Sequence, residues 1–268
     1  MPGDGGAQHG GQHVLLWGSS LGDAPNIEQQ AAQACRQLVA RKVAGVFFAP
    51  LELTPRKDII NRNIAETFDK ARIAVVLLDR DLVPYPERSD YDLVGIDNRR
   101  AGYAVTSHLL ERGCRRVIFI GRPGSAPTVD ARIAGYREAI AGAQTNLEPT
   151  VCRIEPDDKA RVKEILRRVR PDAVVCANDF TAARLLKTLT DLGVTVPAKI
   201  RMAGIDDVKY ASLLSVPLTT IRQPCTAMGA IAVNTMLERL RQPSLPARDI
   251  LLNFHLVVRN SCGPRKAD

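Results

Sequence analysis

Short apolar segments alternate with amphipathic segments along the whole chain. Residues 43–49 read VAGVFFA and residues 73–78 read IAVVLL, and segments with apolar residues at helical spacing separate such runs. A strand that is apolar on both faces must be covered on both faces, which is typical of parallel sheets with helices on either side. The alternation therefore predicts an α/β fold of doubly wound parallel sheets. The units are too numerous for one sheet of usual size, so we expect two lobes.

The predicted elements follow from these two patterns. Short apolar runs predict strands at residues 14–17, 43–49, 73–78, 93–96, 117–120, 151–154, 173–176 and 200–205, with a strand pair near 251–258. Apolar residues three or four positions apart predict helices at residues 26–42, 57–70, 99–112, 131–142, 161–170, 181–192 and 226–240.

The chain is basic, with a formal net charge of +8, which permits an anionic partner. The cations are dispersed except at residues 161–170, which read RVKEILRRVR and place Val, Ile and Leu at helical spacing. This pattern favours a solvated helix face, and contact of that face with nucleic acid is the alternative. Aromatic residues make up only 4% of the chain, without the basic and aromatic interleaving of single-strand binders.

Neither metal ligation nor nucleophilic catalysis has a visible motif. The six cysteines are too far apart in sequence for a metal knuckle or a redox pair, which predicts reduced thiols in a cytoplasmic protein. The four histidines lack metal spacing, and no serine stands in a G-x-S-x-G elbow. No apolar run is long enough to span a bilayer. We therefore predict a protein that is not an enzyme and needs no cofactor, metal or membrane.

Polar residues follow three of the predicted strands directly. The carboxyl ends of parallel strands present ligand-contacting groups in open α/β sheets, so we expect one cleft lined from several strands. The polar pairs at these ends are Asp97-Asn98, Asn178-Asp179 and Asp206-Asp207.

Ordered motifs give the chain a resemblance to a known family over residues 13–263. They are Asp79-Arg80, GIDNRRAG at 95–102, HLLERGCRRVIFIGRP at 108–123, ARIAGYREAI at 131–140, CAND at 176–179, GIDD at 204–207, TTIRQP at 219–224 and LVVRNSC at 256–262. With them the chain resembles the effector-binding module of the lactose-repressor/galactose-repressor family of bacterial transcription regulators.

The resemblance implies the type I periplasmic-binding-protein fold, with two Rossmann-like lobes joined by three crossovers. The N-terminal lobe is expected at 13–121 plus 224–243, and the C-terminal lobe at 122–223 plus 249–262. The family module opens with a strand and a helix that precede the segment matching residues 14–17. We expect that strand, most of that helix and the DNA-binding headpiece to be missing, with residues 1–12 as a remnant of the helix or a disordered N-terminus. Loss of the strand would leave two strand edges unpaired.

The implied function is effector binding and dimerisation in a transcription regulator. The implied partners are a small molecule, expected to be a sugar, a second copy of the chain through first-lobe helices including 99–112, and operator DNA through the headpiece alone. A sugar solute-binding protein of an importer is the alternative, because it shares the fold. An in-frame helix-turn-helix or an export signal upstream would discriminate between the two.

The resemblance assigns the main effector contacts to Arg132 and Asp206. Arg132 matches a family arginine that forks onto sugar hydroxyls or a carboxylate, and a planar guanidinium with five donors suits that task. The alternative for Arg132 is a surface arginine at a helix start, and we expect its removal to leave stability near wild type. Asp206 matches a family acceptor of polyol hydrogen bonds, and Asp207 is predicted to cap the following segment.

Further contacts carry weaker signals. Asn178 matches a family effector contact and has a turn role as its alternative, whereas Asp179 is predicted to be the helix cap. Asp97 and Arg100 lie in the loop that matches a cleft segment of the family, and Asn98 there could instead cap a helix. Ser20 could reach the ligand or start the next helix.

Overall fold

The computed structural model describes residues 14–17 as backbone, and residues 26–143 and 148–264 in full. The chain divides into two compact units that it passes between three times. The first unit comprises Met1–Ile96 and Pro224–Leu252, and the second comprises Asp97–Gln223 and Asn253–Asp268.

Helices and strands alternate as the apolar pattern predicts. The strands are β1 Val14–Trp17, β2 Gly45–Phe48, β3 Ala74–Leu78, β4 Asp92–Ile96, β5 Val117–Gly121, β6 Thr150–Arg153, β7 Ala173–Cys176, β8 Arg201–Asp206, β9 Thr219–Arg222, β10 Asp249–Leu252 and β11 His255–Val257. The helices are α1 Ile27–Ala40, α2 Lys57–Lys70, α3 Asn98–Glu111, α4 Pro127–Gly142, α5 Lys159–Val169, α6 Asp179–Asp191 and α7 Cys225–Arg241.

The first unit has a parallel sheet in the order β1-β2-β3-β4-β10. Strand β1 pairs directly with β2 in register, Val14 opposite Gly45 and Trp17 opposite Phe48. The prediction of an unpaired edge between these segments is therefore wrong, because β1 occupies the position beside β2. Helices α1 and α2 bury apolar side chains, including Leu38 and Phe68, in the core beside this sheet.

The second unit has a sheet in the order β11-β9-β8-β7-β5-β6, in which only the β11–β9 pairing is antiparallel. The chain leaves β5 toward β6 on one side and returns to β7 on the other. The carboxyl ends of β5 and β7 therefore form a topological switch point, the place where doubly wound sheets bind ligands.

The unit boundaries differ from the predicted lobes. Helix α3 and strand β5 were expected in the N-terminal lobe, but β5 pairs with β6 and β7 in the second sheet. Strand β10 was expected in the C-terminal lobe, but it pairs with β4 in the first sheet. The predicted strand pair near 251–258 is likewise wrong, since β10 and β11 join different sheets. Side-chain pattern identifies a strand, whereas backbone pairing decides its sheet.

Among the described residues, every helix is too short or too polar to cross a bilayer.

Candidate functional site

The side chain of Arg132 is buried at the switch point of the second sheet. Helix α4 begins at Pro127, four residues before the predicted start, and carries Arg132 at 3% exposure. Its Nε donates to Oδ1 of Asn98 at 2.7 Å, and its Nη1 donates to the carbonyl oxygen of Ala177 at 2.7 Å. The reading of Arg132 as a surface arginine is therefore wrong, because residues after β4 and β7 enclose it.

Two glycines bring α3 and α4 close enough for this contact. A Cβ on Gly135 would overlap the carbonyl oxygen of Arg99, and a Cβ on Gly102 would overlap that of Arg132. The two helix backbones touch where they cross, so Arg132 on α4 reaches Asn98 at the start of α3. This close approach is available only to glycine, because any other residue would separate the helices.

Asp206 faces Arg132 at the end of β8. Its Oδ1 lies 3.5 Å from Nη2 of Arg132 and accepts a hydrogen bond from Nε2 of Gln223 at 2.8 Å. The backbone φ of Asp206 is 126°, a conformation that side-chain-bearing residues rarely adopt and that is often found at functional sites. The structure therefore brings together Arg132 and Asp206, the two residues predicted as the main contacts, and Gln223 joins them.

Asp207 anchors the turn that follows β8. Its carboxylate accepts from Nε of Arg222 at 2.6 Å and lies 2.6 Å from Nη2 of Arg259. Burial alone would raise the pKa of Asp207, but the hydrogen bonds from these two arginines hold it below its usual value. The predicted capping role for Asp207 is wrong, because ion pairs with β9 and the C-terminal segment take up its side chain.

Asn178, rather than Asp179, caps helix α6. Its Oδ1 accepts from the backbone N–H of Thr181 at 2.9 Å. Asn178 is therefore a helix cap and not the turn residue that was its alternative, and its effector role stays a prediction. The predicted capping role of Asp179 is wrong, because its side chain turns into the protein.

Asp179 is a fully buried carboxyl beneath the turn that carries Asp206. Its Oδ1 accepts from the hydroxyl of Thr220 at 2.6 Å, and its Oδ2 accepts from the backbone N–H of Val208 at 3.1 Å. The missing Cβ of Gly204 makes room for this carboxyl. Burial, with smaller contributions from Asp206 and Asp207, raises the pKa of Asp179 to about 7 against the two hydrogen bonds.

Asp97 and Arg100 make structural contacts of their own. Asp97 caps α3 by accepting from the backbone N–H of Arg100 at 2.9 Å, so Asn98 is not the cap. Arg100 donates from Nη1 to Oδ1 of Asn253 at 3.2 Å and lies over the ring of Phe254. Their effector roles stay predictions. Ser20 lies outside the described residues.

The site presents donors and acceptors of opposite charge side by side. The guanidinium of Arg132 can donate and the carboxylate of Asp206 can accept, a combination that matches neighbouring hydroxyl groups. In the part of the chain that the structure describes, no group of three or more His, Cys, Asp or Glu side chains is placed to hold a metal ion. The arrangement suits reversible binding of a polar small molecule.

Sequence reasoning did not assign a role to Gln223 or foresee Arg259. Gln223 stands in TTIRQP and Arg259 in LVVRNSC, motifs that were recognised as a whole without a function for either side chain. Their contacts join segments far apart in sequence, so only pairing of β9 with β8 and β11 reveals them.

Known proteins are similar to this chain in architecture and sequence. A family model described as "Periplasmic binding protein-like domain" matches residues 106–262. The chain is 28% identical to the HTH-type transcriptional repressor PurR of Vibrio campbellii, over 84% of the chain and 66% of that protein. It is 27% identical to the ribose operon repressor of Escherichia coli K12, over 87% of the chain and 69% of that protein.

A solved structure, the transcriptional regulator CelR–cellobiose complex, superposes with a TM-score of 0.72 at 26% identity. That match covers 87% of this chain and 70% of the other. The chain thus spans about two thirds of the length of the PurR relative.

Proposed function

The chain belongs to the periplasmic binding protein-like domain family, and we propose that it is the effector-binding and dimerisation module of a bacterial transcription regulator. The similarity to proteins named as repressors supports a regulatory role. The single observation that carries effector binding is the convergence of Arg132 and Asp206 at the switch point of the second sheet.

The proposed effector is a sugar or a related neutral polar molecule. Arg132 and Asp206 carry opposite charges, so the pair favours a neutral ligand over one that adds net charge. Each hydroxyl of such a ligand can both accept from the guanidinium and donate to the carboxylate. One relative is named as the repressor of a ribose operon, and a second protein was solved in complex with cellobiose. These two sugars are therefore the first probes.

Contacts within the protein hold the polar groups of the site in position. Arg132 is held by Asn98 and Ala177, and the turn carrying Asp206 is held by the ion pairs of Asp207. A preorganised site loses less conformational entropy on binding, which favours affinity. We propose that Arg132 and Asp206 contact the effector directly and that Asp207 positions the turn.

The proposed partners are a second copy of this chain in a homodimer and, for the whole regulator, operator DNA. Effector binding would be coupled to DNA binding by a shift between two conformational states. The proposed location is the cytoplasm, where such a regulator meets DNA. Helix α3, expected from sequence to lie at the dimer interface as a first-lobe helix, belongs to the second unit.

Calorimetric titration of the wild-type chain with D-ribose and cellobiose tests effector binding. Binding of either sugar, lost in Asp206→Asn and Arg132→Lys, supports the proposal, and sugar binding that both variants retain contradicts it. Sedimentation velocity then tests the homodimer, and a monomer at micromolar concentration contradicts it. An in-frame helix-turn-helix encoded upstream would support the regulator, and an export signal there would favour a solute-binding protein instead.

A further inference from the structure

An exposed aromatic ring lies on the same sheet edge as the Arg132–Asp206 site. Phe180 is the second residue of α6 and keeps 44% exposure, whereas Phe119 on β5 of the same unit is fully buried. An exposed aromatic at the carboxyl edge of a doubly wound sheet stands where ligands bind.

Two arginines lie over this ring, and each is paired with a carboxylate. The guanidinium carbons of Arg122 and Arg184 lie 5.9 Å and 5.6 Å from the centroid of Phe180. Glu155 accepts from Nε of Arg122 at 2.9 Å, and Asp157 pairs with Arg184. Both arginines are within cation–π range, so they restrict the orientation of the ring while its surface stays accessible.

The rim of this platform is electrically balanced. Arg122 and Arg184 contribute two positive charges, and Glu155 and Asp157 contribute two negative charges. An apolar ring with donors and acceptors of both signs around it matches a molecule that has a C–H face and a hydroxyl rim. A sugar ring has this form, whereas a phosphorylated or acidic ligand would meet as much repulsion as attraction.

The platform and the Arg132–Asp206 site are adjacent along the edge. Phe180 follows β7, Arg122 follows β5 and Glu155 follows β6, which are neighbouring strands, whereas Asp206 ends β8 on the other side of β7. Strands in a sheet are about 4.8 Å apart, so the ends of β8 and β5 are separated by about 10 Å. Ala177, which accepts from Arg132, precedes Phe180 by three residues.

We infer that Phe180 is the specificity-determining residue for a second sugar ring, so that the effector is a disaccharide or a longer glycoside. One ring would contact Arg132 and Asp206, and the next would stack on Phe180 with its hydroxyls toward Arg122 and Glu155. This inference rests on the proposed function, since it extends the same ligand along the same sheet edge.

Matched monosaccharide and disaccharide pairs test the inference by calorimetric titration: glucose with cellobiose, glucose with maltose, and galactose with lactose. We expect the wild-type chain to bind one disaccharide about tenfold more tightly than its monosaccharide, the scale of an aromatic contact. In Phe180→Ala the disaccharide should bind no more tightly than the monosaccharide, whose affinity should be unchanged. Phe180→Trp should retain the tighter binding of the disaccharide. Leu213→Ala, at a position 81% exposed in the same unit, is the matched surface control.

The outcomes separate the two proposals. A wild-type chain that prefers the monosaccharide, or a ratio unchanged in Phe180→Ala, overturns the role of Phe180 and leaves the proposed function intact. If Arg132→Lys loses all sugar binding but Phe180→Ala keeps the wild-type ratio of disaccharide to monosaccharide affinity, the role of Phe180 is likewise overturned and the proposed function stands. If the wild-type chain binds D-ribose but none of these sugars, the role of Phe180 fails and the proposed function stands. If it binds neither D-ribose nor any of these sugars, sugar binding as proposed above fails, and the role of Phe180 fails with it.

Discussion

Nε of Arg132 donates to Oδ1 of Asn98 at 2.7 Å, inside the second unit, where both side chains are buried. A residue at the start of α3 thus orients the arginine that faces Asp206. The arginine is part of the packed interior as well as a predicted ligand contact, so its replacement affects folding and binding together. This changes the expectation from sequence that loss of Arg132 leaves stability near wild type.

Arg132→Ala is therefore expected to lower the free energy of unfolding by about 2–4 kcal/mol, because it leaves buried partners without a hydrogen-bond donor. Sugar affinity should fall in the same variant. Urea denaturation and calorimetric titration measure the two effects. Arg99→Ala is the control: Arg99 pairs with Glu138 on the surface, and such pairs contribute about 1 kcal/mol or less. Equal stability of Arg132→Ala and the wild type would contradict the structural role.

Asp179 should make the stability of the protein fall as the pH rises. Its folded pKa of about 7 lies above the ordinary value of 3.8, so the folded state holds the proton more tightly than the unfolded state. The associated stability is fully present below pH 3.8 and is lost as the pH rises from there through about 7. Unfolding free energies of the wild type and Asp179→Asn, compared from pH 5 to pH 8.5, isolate this contribution.

The stability profile of Asp179→Asn should lack that decline, since the amide does not titrate, so the difference between the wild-type and variant profiles should fall as the pH rises. Carboxyls such as Asp207, whose pKa is lowered, contribute in the opposite direction in both proteins and cancel in the difference. Parallel pH profiles for the two proteins would show that Asp179 has no raised pKa in the folded state.

Gly135→Ala should destabilise the second unit strongly. The added methyl group would overlap the backbone of α3 at Arg99, so the helices must separate and Arg132 must move away from Asn98. We expect a loss of about 3 kcal/mol or more in unfolding free energy, beyond the usual cost of overpacking. Gly229→Ala on α7 is the matched control.

A Cβ on Gly229 meets nothing within 4 Å, so alanine there should stabilise the helix by up to about 1 kcal/mol. Thermal unfolding of both variants provides the measurement. Similar melting temperatures for Gly135→Ala and Gly229→Ala would show that α3 and α4 do not touch at these residues.

Asp92→Asn should destabilise the first unit. Asp92 is fully buried and accepts from Nε and Nη2 of Arg239 at 3.0 and 2.8 Å, and from the backbone N–H of Arg248 at 3.0 Å. Removing the charge leaves Arg239 without its partner ion, at a cost of about 3–5 kcal/mol. Asp249→Asn breaks an exposed ion pair with Arg88 and should change the free energy of unfolding by under about 1 kcal/mol. Urea denaturation of both variants provides the measurement. Equal effects in the two variants would contradict the role of Asp92.

The sequence predicted the alternation of strands and helices well, and the reason is local. Burial on both faces of a parallel strand requires continuous apolar residues, so 73–78 and 173–176 could be recognised one segment at a time. The carboxyl-edge position of Asp206 followed from the same rule, because a polar residue directly after a buried strand lies at that edge. The start of α4 at Pro127 was missed, because the apolar spacing of that helix begins later than its first turn.

Pairings between distant segments followed from tertiary structure alone. Whether β10 joins β4 or the second sheet depends on backbone hydrogen bonds that no local pattern encodes. The capping of α6 by Asn178 instead of Asp179 has the same origin. Either residue type can cap a helix, but the absence of a Cβ on Gly204 leaves space in which the Asp179 carboxyl is buried.

Local apolar periodicity and the residues at strand ends thus determined the fold class and the carboxyl edge at which ligands would bind. The enclosure of Arg132 by Asn98 and Ala177 and the burial of Asp179 were decided by contacts between residues 29 to 45 positions apart. The assignment of each strand to a sheet was decided by backbone pairing between separate segments of the chain. Hydrogen bonds and close packing between distant residues depend on how the helices and strands are arranged in the folded chain. The local sequence pattern of a single segment does not specify that arrangement.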